Sequence, residues 1–122
     1  MGPSGVALIA TDEQGQNGIT VIAGANGLLA PADLDQNIDV IRCAAVSLTQ
    51  LEVLVEPVIY LSNIALRERI PLVLDPAPAC ALPSPLLHNV EWLTANETEA
   101  GSLLGDTGQH ISDAELPPKI VR

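Results

Sequence analysis

Aromatic side chains are nearly missing: the 122 residues include no Phe, one Trp and one Tyr, while 48% of the chain is hydrophobic. Any core must therefore be aliphatic, built from Leu, Ile, Val and Ala, a composition that suits buried parallel strands. Cations are scarce as well, with 5 Lys and Arg against 15 Asp and Glu and a formal net charge of −10. Nucleic acids and anionic membrane surfaces require clustered Lys and Arg, so neither is an expected partner. Most of the carboxylates are expected to be solvated surface groups.

The other absences narrow the field further. Cys43 and Cys80 are too far apart for a CxxC pair, and no Cys/His cluster accompanies them. Two reduced, partly buried thiols in a cytoplasmic protein are expected, with a disulfide as the alternative. Met1-Gly2-Pro3-Ser4 lacks the basic and apolar blocks of a secretory signal, and Val6 stands where myristoylation needs Ser or Thr. The longest uncharged stretch, Gln14 to Ala32, is interrupted by Gln16, Asn17, Asn26 and Pro31 and does not suit a bilayer span. Walker A, GxGxxG, HExxH and GxSxG motifs are all missing. His88 and His110 have no partner at metal-ligand spacing and are expected at the surface or at helix ends. The length suits one modest core in a single unit.

What is present is an alternating pattern. Val6 to Ala10 and Ile19 to Ala23 flank a run of turn formers and predict a β-hairpin. Gly24-Ala25-Asn26-Gly27 is expected to break regular structure. A helix is predicted from about Ala32 to Cys43, with Leu34, Ile38, Ile41 and Ala45 in near-helical register. Ala45 to Thr49 reads as a strand, and Leu54 to Arg69 as a helix striped by Leu54, Val58, Leu61, Ile64 and Ala65. Leu72 to Leu74 and Glu91 to Thr94 are further strands. A short helix capped by Ser84, with Pro85 at its first position, joins them. Asn96 is placed to cap a last helix running to Leu104 and stopping at Gly105, whereas Pro117-Pro118 would interrupt the helix announced by Ser112-Asp113-Ala114-Glu115. Strands alternating with helices imply βαβ crossovers, a parallel sheet and an α/β fold.

Each strand-like run ends in polar groups, and ligands gather at that end of open α/β sheets. Asn96-Glu97-Thr98-Glu99 supports two readings: a reciprocal capping box, or a helix N-terminus facing phosphate while Glu99 holds Mg²⁺ through water. Glu52, beside Gln50, is either an ordinary charged loop residue or an acceptor for the hydroxyls of a polyol. Asp75 before Pro76 is either an Asx-type turn or a further polar group of the same site.

Taken in order, Gly24-Ala25-Asn26, Gln50-Leu51-Glu52, Asp75-Pro76-Ala77-Pro78-Ala79 and Asn96-Glu97-Thr98-Glu99-Ala100 resemble the central part of the ribokinase family of sugar kinases. The likeness covers about Ser4 to Gly105, and the ordered set is more specific than any one piece. It implies a partial ribokinase-like, Rossmann-type fold with residues 1–27 as a β-hairpin lid segment and 28–122 as a partial α/β core. It further implies ATP-dependent transfer of the γ-phosphoryl group to the 5-hydroxyl of ribose, with Mg²⁺ neutralising phosphate charge. On this reading Glu52 hydrogen-bonds the sugar, and Ala7 and Ile9 contact it from the lid. Asn96 and Glu99 belong to an Asn-x-x-Glu motif for Mg²⁺ and phosphate, and the hairpin joins two subunits in a homodimer.

Asp75 stands where the family usually has Asn, and Ala95 where Pro is common. The family's N-terminal Gly-Gly and Asp sugar groups, and its C-terminal Gly-Ala-Gly-Asp loop with the catalytic base and anion hole, have no counterpart here. No catalytic residue is therefore assigned, and the chain by itself is expected not to turn over. Alternatives are a non-catalytic interaction module using the hairpin's strand edge, or a family kinase acting on fructose, a deoxy sugar acid or a nucleoside. Exposed strand edges lead to an expectation of marginal stability or association.

Overall fold

Leu72 and Leu74 alternate with Val73 and Asp75, and that period of two fixes which side of the sheet the helices cover. The computed structural model describes residues 2–103. Strands β1 (Val6–Thr11) and β2 (Asn17–Ile22) form an antiparallel hairpin. A 3₁₀ turn (Gly24–Leu28) leads to helices α1 (Pro31–Gln36) and α2 (Ile38–Arg42). Then come β3 (Ser47–Gln50), α3 (Val55–Glu68), β4 (Leu72–Asp75), α4 (Ser84–Asn89), β5 (Trp92–Leu93) and α5 (Glu97–Leu103). β3, β4 and β5 make a parallel sheet in that order, joined by α3 and α4 as expected for βαβ units.

One face of the sheet carries the core. Leu74, Leu93, Leu51 and Ala95 pack with Val58 of α3 and Leu86 of α4, while Leu72 packs with Ala65 and Ile70. Side chains of the opposite face are much more open: Leu48 is 73% exposed and Trp92 43%. The expected burial of the parallel strands therefore holds for one face only among the described residues. α3 and α4 are also tied by Asn89, whose Nδ2 donates to Ser62 Oγ and Asn63 Oδ1 at 3.3 Å each. The buried Ser62 hydroxyl donates in turn to Ile59 O at 2.8 Å, so burial leaves it satisfied.

Several boundaries differ from the sequence expectation. The helix predicted over 32–43 is two short helices broken at Asn37, whose backbone leaves the helical region (φ −115°, ψ 18°). Its Nδ2 donates to Asp33 O at 2.8 Å, a local bond that competes with helix propagation. Asp33 supplies the missing N-terminal cap of α1 by accepting from Ala30 N–H at 2.9 Å. β3 starts at Ser47 rather than Ala45, because the first ladder bond runs from Ser47 N to Pro71 O. Leu54 does not belong to the buried stripe of α3: it occupies the N-cap in an extended conformation and is half exposed. Pro83, not Ser84, precedes α4, which puts Pro85 at its second position. Cys43 is exposed rather than partly buried, Cys80 is intermediate, and both are free thiols. Leu104, Gly105, His110 and the box at Ser112 to Glu115 lie outside the described residues.

The break expected at Gly24 to Gly27 is instead a short regular turn, entered through a close backbone crossing. Gly24 has φ +54°, and a Cβ there would lie 2.6 Å from Pro3 O and 2.7 Å from Ser4 C. Ala25 N donates to that same Pro3 oxygen at 2.8 Å, so the approach is fixed from both sides. α3 ends with the opposite mismatch: Arg69 adopts the left-handed conformation (φ 59°) that glycine takes without cost, and Ile70 N bonds back to Ala65 O. Urea unfolding of two variants should therefore move in opposite directions. Gly24→Ala is expected to lower stability by about 1–3 kcal/mol, and Arg69→Gly to raise it by about 0.5–1 kcal/mol.

Candidate functional site

Parallel pairing brings the polar strand ends to one edge. Gln50, the last residue of β3, is the register partner of Asp75, the last of β4. Leu74 pairs with Leu93, and Thr94 N donates to Leu74 O at 3.0 Å, carrying β5 to the same edge just before Asn96. Ala95 between them is buried and belongs to the core. The edge is thus anchored from beneath by apolar contacts while its polar side chains face outward.

The loop after β3 is held tightly. Leu51 is buried in the core and its N–H donates to Ala77 O at 3.0 Å, which ties the β3 loop to the segment after β4. Pro76 in that segment is fully buried. Glu52 follows with its side chain exposed and its N–H donated to Gln50 Oε1. Neither the Glu52 nor the Asp75 carboxylate has a hydrogen-bond or ion-pair partner among the described residues. The Asx-type turn considered for Asp75 is accordingly not formed there.

Asn96 and Glu99 make the reciprocal cap that their spacing allows. Asn96 Oδ1 accepts from Glu99 N–H at 2.9 Å, and Glu99 Oε2 accepts from Asn96 N–H at 2.9 Å. This arrangement engages one oxygen of each side chain and leaves the Asn96 amide nitrogen and the second Glu99 oxygen available. Asn96 is exposed and Glu99 half-buried. No group of three His, Cys, Asp or Glu able to hold a metal directly occurs among the described residues.

Ala7 and Ile9 lie apart, on the separate hairpin sheet. They share one face with their register partners Val21 and Ile19, and every residue of both strands is exposed. The other face is apolar too, with Val6, Leu8 and Ile22. At the tip, Asp12 Oδ1 accepts from Gln14 N and Gln16 N at 2.9 Å, which explains the sharp reversal without any ligand.

No family model matches the chain. Over 102 residues it is 40% identical to the ribokinase of Staphylococcus aureus, covering 84% of this chain and 34% of that one. It is 34% identical over 115 residues to the deoxyribokinase of Salmonella typhi, covering 91% and 38%. The solved structure of Arabidopsis thaliana ribokinase complexed with ribose and ATP superposes with a TM-score of 0.75 at 28% identity, covering 85% of this chain and 34% of that one. The chain is a ribokinase-like segment. It spans 34% to 38% of the length of these relatives, and its parallel sheet with a β-hairpin is part of the ribokinase fold.

Within this ribokinase-like segment, sequence reading located every polar strand end but missed two supports. One is Asp33 as the cap of α1, signalled by its place two residues after Pro31. The other is the Tyr60 hydroxyl, which donates to Asp35 Oδ1 at 2.7 Å and joins α3 to α1. That bond raises the Tyr60 pKa above its ordinary value, first through the hydrogen bond itself. His88 closes the last turn of α4, with Nδ1 2.7 Å from Ser84 O, as expected of a helix-end residue.

The cap can be separated from any ligand role by stability alone. Asn96→Ala removes an acceptor and is expected to cost about 1 kcal/mol in urea unfolding. Glu99→Gln keeps the reciprocal bond and is expected to stay within about 0.5 kcal/mol of the parent.

Proposed function

We propose that this segment forms the sugar-facing wall of an ATP-dependent sugar kinase that transfers the γ-phosphoryl group to the 5-hydroxyl of ribose. The observation that carries the reading is the shared edge: Gln50 beside Asp75 in register, the exposed carboxylate of Glu52 two residues on, and Asn96 after the third strand. Solvated carboxylates with unused lone pairs suit the hydroxyls of a polyol, which donate in a fixed pattern once the sugar is seated. Sequence identity to a ribokinase and to a deoxyribokinase supports a pentose over fructose, a deoxy sugar acid or a nucleoside.

Glu52 accepts from a sugar hydroxyl, and Asp75 adds a second acceptor at the same edge. Residues 1–27 act as a lid whose Ala7 and Ile9 shield the sugar from water. Glu99 suits Mg²⁺ through bound water, because the ion keeps much of its hydration shell and the cap with Asn96 leaves the second Glu99 oxygen to accept from such a water. Mg²⁺ with ATP would supply neutralisation of phosphate charge at that end of the site. Two apolar, exposed hairpin faces support pairing of two copies through their hairpins, a homodimer in the cytoplasm. The same exposure favours the second reading, a binding module that adds a partner's strand to the hairpin edge.

Phosphoryl transfer also needs a base within reach of the attacking hydroxyl and donors around the migrating charge. No Gly-Ala-Gly-Asp loop to supply them occurs in these 122 residues. Incubation of the chain with ribose, ATP and Mg²⁺, followed by calorimetry and product analysis, tests the reading. Saturable ribose binding without ribose 5-phosphate is expected. Failure to bind ribose, or turnover at a kinase-like rate, would contradict it.

A further inference from the structure

Asn-Gly pairs occur at Asn17-Gly18 and at Asn26-Gly27. In such a pair the glycine nitrogen can attack the asparagine side-chain carbonyl, because no Cβ on the glycine stands in the way. The fold treats the two pairs differently. Gly27 lies inside the Gly24–Leu28 turn, where a Cβ would sit 3.5 Å from Ala23 Cβ, and the Ala25 N to Pro3 O bond holds the turn at its entry. Asn17 and Gly18 begin β2 and are exposed, and nothing lies within 4 Å of where a Gly18 Cβ would be.

The Asp12 N to Gln16 O bond at the tip sets the alternation of the hairpin ladder. Thr11 and Asn17 form a non-hydrogen-bonded pair, and Ala10 and Gly18 a hydrogen-bonded one. While the hairpin is closed, the Gly18 amide is therefore engaged across the ladder and held in strand geometry, turned away from the Asn17 side chain. Opening releases it. β1 and β2 pair only with each other among the described residues, and every residue of both is exposed, so the tip opens far more readily than the core.

We propose that Asn17-Gly18 is a site of spontaneous deamidation gated by opening of the hairpin tip. The Gly18 nitrogen gives up its proton to solvent and bonds to Asn17 Cγ, and the side-chain nitrogen leaves as ammonia, closing a succinimide ring. Water then opens the ring at either carbonyl and leaves aspartate or isoaspartate at position 17. Isoaspartate routes the backbone through Cβ and lengthens β2 by one methylene, which takes Ile19 and Val21 out of register with Ile9 and Ala7.

Peptide mapping by mass spectrometry of the dilute chain, held at neutral and at mildly alkaline pH, provides the test. Asn17 should deamidate at least about fivefold faster than Asn26 in the folded chain, and at a similar rate in urea. Its rate should rise in proportion to hydroxide, with isoaspartate among the products. Asp12→Ala removes the acceptor for Gln14 N and Gln16 N and should speed the reaction at Asn17 about three- to tenfold, leaving Asn26 unchanged. Gly18→Val places its side chain in open space and should slow the reaction at least about tenfold. Asn17 reacting no faster than Asn26 in the folded chain, Asp12→Ala leaving the Asn17 rate unchanged, or Gly18→Val deamidating as the parent does would each overturn the proposal. Should Asp12→Ala melt the hairpin outright, Asn17 is expected to react at its rate in urea, and a slower rate would count against gating.

Discussion

The alternation of β4 is the constraint on which the rest of the structure depends. Leu72 and Leu74 send their side chains under α3 and α4 and are 1% and 0% exposed, so the strand cannot slip by one residue without turning both into solvent. Register then follows for its neighbours. Fixing Leu74 opposite Thr49 and Leu93 places Asp75 opposite Gln50, and Thr94 N against Leu74 O. The polar edge is a consequence of apolar packing one residue below it. Leu51 and Ala95 repeat the device just past the ends of the flanking strands, each a buried anchor next to an exposed polar residue, Glu52 and Asn96 respectively.

Two surfaces are left open by this arrangement among the described residues. The sheet face bearing Leu48 and Val73 has no helix layer, although parallel sheets ordinarily bury both faces. The hairpin exposes Ile9 and Ile19 on one side and Leu8 and Ile22 on the other. Both surfaces accord with a segment that spans about a third of the length of its relatives. The tight crossing at Gly24 ties the segment before β1 to the turn after β2 and so closes the open end of the hairpin, while making few demands on the hairpin's own strand residues.

Much of this was legible in the sequence because the signals were local. Short aliphatic runs at Val6 and Leu72, the 3.6-residue stripe from Val58 to Ala65, and Asn96 three residues before Glu99 each declare their structure without help from distant residues. The order of the polar strand ends was equally legible, and so was the family. What escaped was tertiary or competitive in origin. Asn37 breaks a helix whose apolar spacing continues through it, because its side chain bonds to Asp33 O. The bare sheet face could not be seen from composition, since Leu48 and Leu74 look alike until the helices choose a side. Asn96 and Glu99 show that a motif can satisfy its local role completely and still retain atoms for another.

The central claim is that the strand-end edge holds a sugar through Glu52. A crystal structure of the chain grown with ribose tests it most directly. The account predicts ribose at the edge formed by Gln50, Asp75 and Asn96, with a hydroxyl within about 2.5–3.0 Å of a Glu52 carboxylate oxygen. Ribose bound elsewhere, or an edge that stays empty at saturating ribose while Glu52 turns away into solvent, would contradict it.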